Sequence, residues 1–151
     1  MADPIQHQRH GEHIIEINTR PSKYEEVEFP LWGIQGRADL KGVPFSIGGC
    51  LLTRPLVMGG DAHAHDFDQL LFFLGADARD VRSFDAEIEM FLGDRFERLD
   101  YAACIHVPAG LLHGPVVVKR VGKPVFYMDV TLDPSESDRP PSSYQLPSSE
   151  R

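Results

Sequence analysis

Short apolar segments separated by glycine and proline turns are the feature that most constrains the fold of this chain. Between Tyr24 and Leu132 there is no sustained helical period, and segment 77–85 favours a loop over a helical turn. Short apolar segments at roughly even spacing are typical of an all-β sandwich or barrel. The predicted strands are YEEVEF, FSIGGCLL, QLLFFL, AEIEMFL, ACIHV, PVVVKR and PVFYMDVTL.

The two ends of the chain differ from this central part in composition. Residues 1–20 are polar with scattered histidines, and we predict an N-terminal arm in which HIIEI (13–17) is a candidate edge strand. Residues 21–132 are the predicted barrel, which is long enough to bury a substantial core. Residues 133–151 are rich in proline and serine, so we expect an extended or disordered tail that buries little apolar surface.

Charge and cysteine content narrow the classes of protein. The formal net charge of −8 argues against nucleic acid and anionic membranes as partners, because phosphate contacts need clustered lysine and arginine. No apolar run approaches the roughly 20 residues that cross a bilayer, and the first residues have no apolar signal core. Cys50 and Cys104 are interpreted as small buried residues in a reducing compartment. We therefore expect a cytoplasmic protein whose partner is a small-molecule substrate.

Two histidines and a glutamine stand at the entrance to the most apolar strand, in GGDAHAHDFDQLLFFLG (59–75). Because side chains in a strand alternate between faces, His63, His65 and Gln69 point the same way if the segment is extended. That side is not open solvent, since segment 70–74 is apolar on both faces. Two adjacent buried imidazoles are hard to satisfy with hydrogen bonds alone, whereas a divalent metal satisfies them.

A third histidine, His113, follows a Pro-x-Gly turn and precedes the predicted strand 116–118. A strand that begins there can bring His113 across a barrel to meet the first pair. Three imidazoles and one amide leave room for water or substrate, which is the pattern of a catalytic metal site. For Gln69, a hydrogen bond to a bound water or to a ligand ring is the alternative to direct ligation.

These residues resemble the two motifs of the cupin family. The first motif is similar in its two histidines, its glutamine and a later glycine: His63, His65, Gln69 and Gly75. The second motif is similar in its proline, glycine and histidine: Pro108, Gly110 and His113. The strand pattern from about residue 45 to residue 132 also resembles a cupin barrel, so the resemblance covers most of the chain.

The resemblance implies an all-β cupin fold, a double-stranded β-helix or jelly-roll barrel. It also implies one divalent transition metal (zinc, iron, nickel or manganese) on four ligands: His63, His65, Gln69 and His113. Gln69 stands where cupins most often have glutamate. Because a glutamine carbonyl cancels none of the ion's charge, this departure favours Lewis-acid chemistry.

The three-histidine, one-glutamine pattern resembles cupins of redox-neutral reactions, such as polyketide cyclases. We therefore predict a metal-dependent enzyme of cyclase, isomerase or lyase type that acts on a small oxygenated organic substrate. One alternative is an iron-dependent dioxygenase with the same ligands, and another is a non-catalytic cupin that binds a sugar or a small acid. Since cupins often dimerise, the resemblance also implies a homodimer.

Such a reaction needs an acid–base residue near the metal. Tyr127 and Asp129 alternate on the last predicted strand and are the first candidates. Glu87, on the strand AEIEMFL, is a further candidate. So is His106, whose direction cannot be read across the turn to His113. We interpret the polar faces of both strands as solvent-exposed, and the lining of a wet cavity is the alternative.

Overall fold

The computed structural model describes residues 11–40 and 42–132, and these residues form two antiparallel β-sheets. The strands are β1 (Asn18–Arg20), β2 (Leu31–Gln35), β3 (Phe45–Leu52), β4 (Leu56–Met58), β5 (Asp68–Gly75), β6 (Ala86–Leu92), β7 (Arg95–Leu99), β8 (Ala103–Val107), β9 (His113–Val121) and β10 (Val125–Leu132). A 3-10 turn (Gly11–His13) precedes β1, and a single helical turn, α1 (Gly36–Asp39), follows β2. None of the described helices is long and apolar enough to cross a membrane.

The two sheets enclose one apolar core. The six-stranded sheet has the order β1-β2-β3-β10-β5-β8, and the four-stranded sheet has the order β4-β9-β6-β7. Alternate residues of both sheets enter the same buried cluster, for example Leu71 and Phe73 from β5 and Ile88 and Met90 from β6. The prediction of an all-β fold is confirmed.

The predicted strands with clear apolar character agree with the observed ones. FSIGGCLL, AEIEMFL and ACIHV coincide with β3, β6 and β8. The other three, QLLFFL, PVVVKR and PVFYMDVTL, differ from β5, β9 and β10 by one or two residues at an end. Segment 77–85 is a loop with turns, as predicted.

Two predicted strands are wrong. YEEVEF is not a strand: the Val27 amide donates to the carbonyl of Tyr24 (3.1 Å), which closes a turn, and within this segment Val27 enters the core while its three glutamates stay exposed. HIIEI is not a strand either. The edge strand β1 begins at Asn18, the residue that follows this segment. Sequence reasoning also missed β1, β2, β4 and β7. Residues 1–10 of the predicted arm and the predicted tail 133–151 lie outside the described residues.

The polar faces of the two strands were interpreted as solvent-exposed. On β6 the polar face points away from the core but its glutamates are half-buried, and on β10 the interpretation is wrong. On β6, Glu87 and Glu89 lie on the face opposite the buried Ala86, Ile88 and Met90. On β10 the polar face points inward, and its members are buried: Tyr127, Asp129 and Thr131. β10 lies between β3 and β5 in the six-stranded sheet. Val125 is buried in the core, and because side chains alternate along a strand, the other odd-numbered residues of β10 lie on the same inner face.

The two cysteines are both free thiols, but their surroundings differ. Cys50 is buried as predicted, and burial raises the pKa of its thiol to about 12. Cys104 is exposed, so the buried interpretation is wrong for that residue. The reason is its even-numbered position on β8, where the odd-numbered Ile105 and Val107 occupy the inner face.

Gly75, the glycine of the first motif, is required by the close approach of another segment of backbone. A Cβ at this position would lie 2.2 Å from the carbonyl oxygen of Ser83, a separation that real contacts do not show. We expect Gly75→Ala to lower the free energy of unfolding by about 3 kcal/mol, since overpacking against backbone cannot be relieved by a side-chain rotation. Urea unfolding measures the change. The control is Gly60→Ala, where a Cβ meets nothing within 4 Å, and an equal loss in both variants would contradict the steric reason.

Candidate metal centre

Backbone hydrogen bonds bring the two predicted motifs together. His63 lies in the loop between β4 and β5, and His113 is the first residue of β9. The His63 amide donates to the His113 carbonyl (2.9 Å), and the His113 amide donates to the His63 carbonyl (2.8 Å). The Gly110 amide donates to the His65 carbonyl (2.7 Å). These contacts place ring nitrogens of all three histidines within 4.8 Å of one another.

The hydrogen bonds of the rings leave nitrogen lone pairs available. Nδ1 of His63 lies 2.9 Å from the Asp61 carbonyl, and Nδ1 of His113 lies 2.8 Å from the Leu111 carbonyl. Because a carbonyl oxygen only accepts, each Nδ1 carries the proton and donates it. Nε2 of each ring is then the atom with a free lone pair, which is the arrangement that metal-binding histidines use.

Burial and repulsion between the rings lower the pKa of two of the three histidines. The pKa of His65 is lowered to about 4, first by burial and then by the neighbouring His63 and His113, against a smaller opposite effect of Asp66. The pKa of His113 is also lowered, mainly by burial, although the hydrogen bond to the Leu111 carbonyl opposes this. Neutral imidazole is the form that binds a metal, so these two rings are ready to bind at neutral pH without losing a proton.

Gln69, the fourth predicted ligand, lies on the inner face of β5, four residues after His65. Its Nε2 donates to Oδ2 of Asp129 (2.7 Å). Its Oε1 is buried and accepts no hydrogen bond from the described residues. A buried carbonyl oxygen without a partner costs free energy, and a cation is one partner that removes this cost.

The donor set fits a divalent transition metal. Two nitrogens bound to one zinc ion at about 2.1 Å each lie at most about 4.2 Å apart, so small ring rotations bring the observed cluster to such an ion. Burial falls from His113, which is buried, through His65, which is half-buried, to His63, which is exposed. The cluster therefore has a solvent-facing side that water or a small substrate can reach.

The structure places the four predicted acid–base residues differently. Asp129 and Tyr127 lie on the inner face of β10, where Asp129 contacts Gln69 and the Tyr127 ring packs on Phe73 with centroids 5.2 Å apart. Glu87 pairs in register with Arg120, near the end of β9 opposite His113, and its carboxylate lies 3.9 Å from the Arg98 guanidinium.

His106 lies outside the cluster as well. Its ring is on the outer face of β8, with Nε2 2.8 Å from Oδ2 of Asp68. The structure therefore does not bring Glu87 or His106 to the three histidines. For both residues the reason is strand alternation, because each stands between neighbours that fill the inner face.

Three supporting residues were missed from the sequence. The Phe67 ring stacks on His65 with centroids 4.7 Å apart, and its odd position in the motif was an available signal. Asp68 accepts hydrogen bonds from His106 and from the Ala109 amide (3.0 Å), which ties the second motif to β5. Gly114, directly after His113, has φ +82°, a backbone conformation that favours glycine.

The fold and this cluster define the chain as a cupin-fold protein with a candidate three-histidine metal site. No protein-family model matches the chain, and no curated protein matches it. Solved structures of oxalate decarboxylase from Bacillus subtilis do match: one is 12% identical with a TM-score of 0.53, over 81% of this chain and 29% of that chain. AerE from Microcystis aeruginosa is 12% identical with a TM-score of 0.49, over 77% of this chain and 45% of that chain.

The likeness to oxalate decarboxylase confirms the cupin fold that the two motifs implied. At this level of identity it shows the fold alone. This chain spans less than a third of the length of the oxalate decarboxylase chains it matches.

Proposed function

We propose that this protein is an enzyme that uses one divalent transition metal as a Lewis acid on a small oxygenated organic substrate. The reaction type that we favour is cyclisation, isomerisation or elimination. The observation that carries the proposal is the convergence of three histidine rings. It is supported by the buried Gln69, whose Oε1 accepts no hydrogen bond from the described residues.

The charge of the donors supports this class of chemistry. All four donors are neutral, and no carboxylate belongs to the histidine cluster among the described residues. A divalent ion on such donors supplies an undiminished positive charge that polarises carbonyl or enol oxygens. His63, His65 and His113 hold the ion, and the exposed side at His63 admits the substrate.

Proton transfer needs a residue of suitable chemistry on the inner face of the barrel. Glu87 and His106 face outward and form ion pairs or hydrogen bonds there. The acid–base role is therefore a proposal for Tyr127 and Asp129, which share the inner face of β10. The two differ in their surroundings, because Asp129 contacts a predicted ligand and Tyr127 packs on an aromatic ring of the core.

The donor types leave the choice of metal to experiment, because imidazole and amide oxygen suit zinc, iron, nickel and manganese alike. Oxalate decarboxylase from Bacillus subtilis has Mn(II) centres, so manganese belongs among the ions to test. Because the two proteins share a fold, oxalate is also a substrate to test, together with β-diketones, enols and catechols.

The test is metal content followed by turnover. We expect protein purified without chelators to contain about one transition-metal ion per chain, since three imidazoles and an amide make one site. We expect turnover of a β-diketone or enol that stops on chelation, returns on reloading and consumes no oxygen. Oxygen uptake with iron(II) would support the dioxygenase instead, and ligand binding without turnover would support the binding module. Protein that binds none of the four metals would overturn the proposal.

A further inference from the structure

A contact between two buried side chains determines how the Gln69 amide is oriented. Gln69 is 7% exposed and Asp129 is 1% exposed, and Nε2 of Gln69 lies 2.7 Å from Oδ2 of Asp129. A carboxylate oxygen accepts hydrogen bonds, and of the two ends of an amide only the NH2 group donates. The amide nitrogen must therefore face Asp129.

The orientation of the nitrogen decides the position of the oxygen. With Nε2 held by Asp129, Oε1 is directed away from that carboxylate, and it accepts no hydrogen bond from the described residues. Gln69 lies on the inner face of β5, and His113 is buried at the start of β9 on the opposite sheet. A carbonyl oxygen whose orientation is fixed in this way can bind a cation without a change of side-chain conformation.

We propose that Asp129 is a positioning residue that holds the Gln69 amide with Oε1 as a fourth ligand of the metal. This inference rests on the proposed metal site. It assigns Asp129 a role through Gln69, and of the two residues proposed for proton transfer it leaves that role to Tyr127. It also gives a structural reason for glutamine in place of glutamate at this position. A glutamate has no N–H to donate, so it would set two carboxylates against each other at the 2.7 Å contact.

The first test measures cobalt(II) binding by the whole chain, because the absorption of cobalt(II) reports its ligands. We expect Asp129→Ala to weaken cobalt(II) binding about 10- to 100-fold, as loss of a partner of a metal ligand typically does. We also expect an altered cobalt(II) spectrum at saturation, which a merely structural role of Asp129 would not produce.

The matched control is Val125→Ala, on the same strand and the same inner face. Val125 is fully buried and pairs with Gly75 and Leu52, four residues from Asp129. We expect this variant to melt at a lower temperature than the wild type while its cobalt(II) affinity and spectrum stay unchanged. A change of spectrum in Val125→Ala equal to that in Asp129→Ala would overturn the inference.

The second test exchanges donor and acceptor. Gln69→Glu alone is expected to lower the melting temperature of the metal-free protein, because of the two facing carboxylates. Adding Asp129→Asn supplies an amide that donates to the new carboxylate, so we expect the double variant to recover most of the melting temperature and of the cobalt(II) affinity. A melting temperature of Gln69→Glu equal to that of the wild type, with no effect of the second exchange, would count against the contact.

The two levels of the proposal fail in different ways. If the wild type does not bind cobalt(II) or any of the four metals, the proposed function and the ligand role of Gln69 are both wrong. If the wild type and Asp129→Ala bind cobalt(II) equally tightly and with the same spectrum, the metal site stands and the positioning role of Asp129 is wrong.

Discussion

Replacing His113 with alanine is expected to reduce the metal content from about one ion per chain to less than about a tenth of that. His113 is the most buried of the three histidines, and the hydrogen bond from its Nδ1 to the Leu111 carbonyl fixes the direction of Nε2. Without it, only two of the three imidazoles remain, and the amide oxygen of Gln69 suits zinc, iron and nickel less well than imidazole does. Elemental analysis of protein purified without chelators measures the change.

The fold is expected to survive this substitution. The bridge between His63 and His113 uses backbone amides and carbonyls, which alanine retains. The matched control is His106→Ala, because His106 is an exposed histidine on the outer face whose Nε2 lies beside Asp68. We expect this control to keep its metal and its circular-dichroism spectrum. Full metal content in the His113 variant would refute the assignment of the site.

Replacing Phe73 with alanine is expected to cost about 3–5 kcal/mol of the free energy of unfolding. Phe73 is fully buried on β5, between β10 and β8 in the six-stranded sheet, and its ring packs against Tyr127. The loss combines the apolar area returned to water with the cavity that the rigid sheets leave behind. Since domains of this size are stable by roughly 5–15 kcal/mol, the variant is expected to be partly unfolded near 37 °C.

The control for this prediction is another phenylalanine of the same chain. Phe29 lies in the segment before β2 and is 49% exposed, so Phe29→Ala is expected to change stability by less than about 1 kcal/mol. Chemical unfolding followed by tryptophan fluorescence compares the two, because Trp32 lies in β2. Equal losses in the two variants would mean that burial does not explain the contribution of Phe73.

The strands predicted best were those whose sequence pattern is compatible with only one type of secondary structure. β3, β6 and β8 were predicted to the residue, because each is a short apolar run between turn residues. The three histidines were also predicted to meet, and the structure brings their ring nitrogens within 4.8 Å. The reason is that the two motifs place three imidazoles next to apolar strands, where a shared metal site satisfies their ring nitrogens.

The elements that were missed have weak or misleading local patterns. In β7, charged residues occupy most positions, so the strand is recognised by its pairing with β6 rather than by its own apolar residues. The segment YEEVEF has a strand-like alternation but no neighbouring strand to pair with. In both cases the presence or absence of a partner strand elsewhere in the chain decides the outcome, and the propensity of a single segment does not contain that information.

The sequence by itself determined the all-β class, most of the strands, and the two histidine motifs with their shared odd-numbered face. It did so because strand periodicity and turn chemistry are local properties. Only the tertiary structure decided which face of β10 is buried, that His106 points outward, and that Gln69 meets Asp129 across 60 residues of chain. The physical reason is that alternation defines two faces of a strand, and the order of strands in the sheets decides which of those faces becomes the core.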